Sequence, residues 1–310
     1  MTRSLPHRLA LLAGLLGVLL AGGCQRDATP SSAIAVAPAA RVAPATRPID
    51  AVLLLRDRLL VRDGAGFARL AVPPGLHARL ASGWSAGRTR WPLDELPLDA
   101  RLPKMLAALQ QKDAQSTLIA TFDRQFKGAD RDIDQTLRTL VVFGGEYVQK
   151  APDYTAAERE HVVQAIAAVG DWAVAAPLSD PARARRFFTA LVAAAQRSGI
   201  DGKAGNAAFA RLGMDDSLRR LSPFLATLLA QLRDQYGLDL DASLRGLDVR
   251  LLEQTGDSAR LRLRYTLAGR PIDAIVPVVR IDGHWYLADL VARAEASLGP
   301  GADAGKPASP

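Results

Sequence analysis

Gly83-Trp84-Ser85-Ala86-Gly87 fits the pattern G-x-S-x-G, in which a serine raised on a tight strand-to-helix turn acts as a nucleophile. That chemistry needs a strand before the serine and a helix after it. Here a segment apolar at helical spacing, Leu76–Ala81, comes first, and Arg88-Thr89-Arg90-Trp91-Pro92 comes after. The sequence therefore favours a glycine-rich loop between helices. His161 or His284, with Asp289, supplies the residue types of a triad but no spacing that ties them to Ser85. The histidines His7, His77, His161 and His284 stand far apart, outside any H-E-x-x-H or His-x-His arrangement, so no metal or other cofactor is expected. Asp130, Asp132 and Asp134, and the pair Asp215-Asp216, lack the glycine and terminal glutamate of a calcium loop. Both are read as helix-terminal charge.

Arginines form the other candidate surface. Arg260, Arg262 and Arg264 alternate with Leu261, Leu263, Tyr265 and Leu267, which puts the three arginines on one face of a strand, with Arg250 and Arg280 in neighbouring strands. Such a face suits anionic glycans or lipid headgroups. The simpler reading is a solvated face neutralised by its neighbours, with Glu253 opposite Arg260 across the Thr255–Ser258 turn. The net charge of +7 has the same character. With 39 basic residues of which only six are lysine, an arginine- and alanine-rich chain reflects composition, and without a concentrated basic stripe no nucleic-acid partner is expected.

The elements that must position these residues are helices first and strands last. Apolar spacing predicts helices from Asp50 to Val61, beyond Pro73-Pro74, over Leu98–Lys112 and over Ile133–Lys150, with Gly64 and Gly66 as breakers. Thr155 with Glu158 reads as a capping box, and Asp180-Pro181 as a helix start closed by Gly199. Ser222-Pro223 reads as a second such start, for a helix running to Gly237. After Leu244 the period changes to two. Strands are expected over Leu247–Gln254, Ala259–Ala268, Ile272–Ile281 and His284–Leu287, the last two joined by an Asp282-Gly283 hairpin, and a final helix over Leu290–Leu298. Pro277 implies that its strand lies at an edge or carries a bulge. The class is α+β, predominantly helical, with a C-terminal four-stranded antiparallel meander and a closing short helix.

The 310 residues are 49% hydrophobic and 23% charged, which excludes a disordered polyampholyte and a multi-span membrane protein. A single cysteine excludes a disulfide framework and a multi-cysteine metal site. That cysteine, Cys24, follows Arg3 and Arg8, an uncharged apolar run Leu9–Leu20 and the small residues Ala21-Gly22-Gly23. The arrangement resembles the lipobox signal peptide of bacterial lipoproteins, although Ala21 stands where that family prefers leucine. The resemblance implies cleavage before Cys24, acylation there, and, with Gln25 next, an outer-membrane anchor facing the periplasm.

The same region gives the domain plan: 1–23 signal, 24–48 lipidated cysteine and Ala/Pro-rich linker, 49–178 helical part, 179–298 helices followed by the sheet, and 299–310 tail. Helices ahead of a sheet whose last hairpin reads Val278-Val279-Arg280-Ile281-Asp282-Gly283-His284-Trp285-Tyr286-Leu287 resemble, over residues 180–298, the nuclear-transport-factor-2-like superfamily. That superfamily hosts both enzymes and non-catalytic modules, so it fixes no activity. The expectation is a non-catalytic binding or scaffolding lipoprotein with an envelope protein, glycan or lipid as partner. The alternatives are a carrier of a lipid or small molecule, or a hydrolase or isomerase using Tyr265, His284, Trp285 or a nearby carboxylate.

Overall fold

The computed structural model describes residues 43–95, 101–152 and 154–299, so Cys24, its signal segment and most of the linker and tail lie outside the described residues. The folded part begins earlier than Ile49. Ala45 is buried, and its carbonyl accepts the N–H of Trp285 at 2.8 Å. Helices α1 (Asp50–Leu60), α2 (Gly64–Ala71) and α3 (Pro74–Ser85) follow. Gly64 and Gly66 do more than end α1: they open α2, because Asp63 accepts from the N–H of Gly66 at 2.7 Å and a Cβ there would sit 2.0 Å from the Asp63 carboxylate.

Next come α4 (Leu102–Leu109), shorter than the expected Leu98–Lys112, then α5 (Ala114–Gln125) and α6 (Asp130–Lys150). Helix α7 (Ala156–Ala175) starts on the expected capping box, with both reciprocal hydrogen bonds between Thr155 and Glu158 in place. Helix α8 (Pro181–Arg197) starts on the Asp180 carboxylate. Helices α9 (Asn206–Leu212), α10 (Met214–Tyr236) and α11 (Leu240–Arg245) lead to the sheet.

Ser222-Pro223 is not a helix start. Both residues lie inside α10, which begins two turns earlier at Met214 behind Gly213, a residue at φ +76°. Proline forfeits one helical hydrogen bond there, and Ser222 turns its hydroxyl back to the Leu218 carbonyl at 2.8 Å. Propensity at one dipeptide loses to burial of Leu218, Leu221, Phe224 and Leu229 along one continuous face. No helix among the described residues is long and apolar enough to cross a membrane.

Strands β1 (Asp248–Thr255), β2 (Ser258–Leu267), β3 (Arg270–Ile281) and β4 (His284–Leu287) form one antiparallel sheet in sequence order, and α12 (Ala288–Ser297) closes the chain. The β3–β4 turn has Asp282 at φ +50° and Gly283 at φ +80°, the twist-matched geometry expected of Asp-Gly. Pro277 sits in an interior strand with unbroken β2–β3 register, opposite Arg260. It is tolerated because β4 reaches only from Ile281 back to Val278. The N–H of Arg280 bonds toward β2, at the Asp257 carbonyl, so alternation turns the Pro277 nitrogen the other way, onto the stretch of β3 that β4 leaves open.

A side chain closes that open edge. The Gln164 amide, on α7, accepts the N–H of Asp273 and donates to its carbonyl, each at 3.0 Å, as a neighbouring strand would. Beneath it Ala165, Ala168 and Val169 pack on Leu267 and Ile272, while Val52 of α1 packs on Leu261, Val278 and Trp285. The largest apolar cluster runs from Leu55 and Trp84 through Leu106 and Phe224 to Leu290, so residues on both sides of position 178 share one core. Replacing Gln164 with Leu leaves both Asp273 backbone groups unpaired. The expected loss is about 1–3 kcal/mol of unfolding free energy in urea titrations, and Gln164→Glu, which keeps the acceptor, loses less.

Candidate functional site

Alternation in β2 points Leu261, Leu263, Tyr265 and Leu267 inward, and the register places Val276, Ala274 and Ile272 of β3 beside the first three of them. Most of these are buried, while Val276 and Tyr265 are partly exposed and line a cavity of about 350 Å³. Its walls come from α1, α2, the turn Leu93–Glu95, α7 and the residue Tyr154 ahead of it, α10, α11, β2, β3, β4 and α12. They are mainly apolar, with Val52, Phe67, Val162, Leu225, Leu263 and Val276 prominent.

Polar groups converge on this cavity. His161 lies one turn after Glu158 on α7 and one turn before Gln164, so the edge-closing bond at Asp273 carries it against the sheet. Its Nε2 and the Tyr265 hydroxyl are 2.8 Å apart, with the rings edge to face. Burial pushes the His161 pKa down and that of the Tyr265 phenol up, so the pair is neutral near pH 7. Arg293 of α12 bridges Glu95, at 2.9 Å, and Glu158, at 3.2 Å. The second Glu158 oxygen accepts the Thr155 N–H at 2.8 Å, so the capping box fixes this carboxylate in place.

Asp289, in the first turn of α12, has a carboxyl pKa raised to about 6. Burial is the largest cause, the adjacent Glu158 charge and hydrogen bond add to it, and Arg293 acts against them. Burial also raises Glu95, again opposed by Arg293. Two carboxyl groups in hydrogen-bond contact need a shared proton or a cation between them. That end of the cavity can therefore hold a proton or receive a hydrogen-bond donor.

The residues singled out from sequence are mostly elsewhere. Ser85 is exposed in the last turn of α3 with no strand before it, and Gly83 is there for close packing, since a Cβ would meet Leu298 at 2.9 Å. His77 sits 3.9 Å from Asp215, and His284 begins β4. Trp285 is core, with Arg280 over its ring. Asp130 and Asp132 open α6, and Asp215 and Asp216 open α10 with Arg69 and Arg219 as partners. The arginine face is neutralised: Arg260 pairs with Glu253, Arg262 and Arg264 with Asp273, Arg250 with Asp248, and Arg280 with Asp257. Together the two arginines and their Asp273 hydrogen bonds hold that carboxyl at about 2.

Of the expected residues only Tyr265, His161 and Asp289 meet in the cavity; Glu95, Glu158 and Arg293 were not anticipated. The available signal was Glu158 and His161 on one face of a capped helix. Among the described residues no group of three His, Cys, Asp or Glu side chains could hold a metal ion. No family model, curated protein or solved structure matches this chain.

Raised Asp289 implies a pH dependence of known sign. The folded protein holds this proton more tightly than the unfolded chain does, so the penalty for ionising it is absent below about pH 4 and complete above about pH 6. Half exposure reduces its size to about 1 kcal/mol. Asp289→Asn is expected to raise the unfolding free energy by that amount at pH 7.5 and to leave it unchanged at pH 4, as read by urea titration.

Proposed function

We propose that this protein binds a small, largely apolar molecule and is held at the cell envelope by a lipid on Cys24. The cavity of about 350 Å³ is the observation that carries this reading. Ligand pockets of this size, mostly apolar with a few convergent polar groups, are the usual form of a small-molecule site. A recess of this volume that is lined rather than filled by side chains leaves apolar surface that a bound molecule would cover. The carrier reading therefore takes precedence over a scaffolding role.

The neutral dye N-phenyl-1-naphthylamine tests it. Saturable one-to-one fluorescence enhancement is expected, with affinity at least about tenfold lower in Val276→Trp, whose indole occupies the void, while that variant keeps its circular dichroism. Absence of saturable binding, or equal binding by Val276→Trp, removes the proposal.

The envelope anchor rests on the sequence of residues 1–25. Several acyl chains on one cysteine, at ~0.8 kcal/mol per buried CH₂, hold a protein to a membrane effectively permanently. Cys24→Ala is expected to abolish incorporation of labelled palmitate and to move the protein to the soluble periplasmic fraction; unchanged membrane association refutes the anchor.

A further inference from the structure

The cavity calls for an occupant, and the charges on its wall decide the sign of that occupant. Its lining contains three carboxylates, Glu95, Glu158 and Asp289, and one permanent cation, Arg293. Arg293 is committed to two of the three, at 2.9 Å to Glu95 and 3.2 Å to Glu158. Glu158 is further fixed by the Thr155 N–H. Asp289 is left facing the cavity with a carboxylate, Glu158, as its neighbour. The nearby imidazole supplies no charge: desolvation keeps His161 neutral, and its Nε2 is engaged with the Tyr265 hydroxyl. The arginines of β2 belong to the opposite face of the sheet and pair there with Asp273 and Glu253. With all groups ionised, the polar end thus carries an excess of negative charge beside an apolar wall.

We propose that the ligand is a monocationic amphiphile, with its ammonium or amidinium group seated among Asp289, Glu158 and Glu95 and its apolar body against Leu263, Val276 and Val162. This deepens the binding reading above and rests on it. An N–H donor placed between Asp289 and Glu158 removes the need for the proton those carboxyls otherwise share, and it does so in a partly desolvated site, where such a contact is stronger than in water. An anionic ligand meets three carboxylates there. A neutral ligand gains the apolar wall alone.

The groups facing Asp289 are Glu95 from the short turn Leu93–Glu95, Tyr154 ahead of α7, Glu158 and His161 on α7, Tyr265 on β2, and Arg293 on its own helix. Of these, Asp289 and Glu95 have carboxyl pKa values shifted upward, so cation affinity is expected to weaken as pH falls through about 6.

Displacement of N-phenyl-1-naphthylamine by three isosteres, 1-naphthylmethylamine, 1-naphthalenemethanol and 1-naphthoate, reads this out at pH 7.5 and 5. The amine is expected to bind about tenfold tighter than the alcohol and about a hundredfold tighter than the carboxylate at pH 7.5, with the first ratio shrinking at pH 5. Asp289→Asn should cut the amine-to-alcohol ratio about tenfold and flatten its pH dependence. If the dye binds but the alcohol or the carboxylate competes as well as the amine, or if Asp289→Asn leaves the ratio intact, the cationic ligand is overturned and the pocket stands. If the dye itself does not bind, the binding reading falls and this one with it.

Discussion

Two hydrogen bonds, from one glutamine side chain to one residue of β3, set the arrangement of the cavity. Strand β4 is only four residues long and leaves the first half of β3 without a partner on that side. An unpaired strand edge must be covered or solvated. Here Gln164 covers it at Asp273, and Pro277 reduces the need by having no N–H to satisfy. The consequence is that α7 lies along the sheet at one fixed height. From that height follow the contact of His161 with Tyr265 one turn away, and the position of Glu158 one turn further, within reach of Arg293. A rotated α7 would carry Glu158 and His161 off the cavity together.

The sheet also separates its charges by face. Alternation in β2 and β3 sends the arginines and Asp273 outward, where every arginine named has an acidic partner, and sends the apolar side chains inward. Exposed pairs of this kind contribute little to stability. Their effect is to leave the outer face nearly neutral, so that it offers no concentrated anion site. The uncompensated charge of this part of the fold is internal and negative, at the end of the cavity where Asp289 meets Glu158. A chain that is basic as a whole thus has a cavity whose polar end is of the opposite sign, because local charge follows side-chain direction and not composition.

Much of the fold was legible. Capping chemistry marked α7 and α8 at Thr155 and Asp180, and the change from a 3.6- to a 2-residue period located all four strands. These are local signals and survive without tertiary information. The failures occurred where local rules compete with burial. Ser222-Pro223 has the form of a helix start but lies within α10, held by apolar residues on both sides of it. Gly64 and Gly66 look like breakers, yet Asp63 turns them into the first residues of α2.

The amino-acid sequence by itself determined the α+β class, the strand order and faces, and the caps, because each depends on residues within a turn or a hairpin of one another. Only the tertiary structure decided that a cavity exists and which groups share it. Glu95, Glu158, His161, Tyr265, Asp289 and Arg293 come from four separate stretches of chain, and no spacing connects one stretch to another. Their proximity is produced by long-range packing of α7 and α12 on the sheet, and the raised Asp289 pKa arises from burial and from a neighbour over a hundred residues distant.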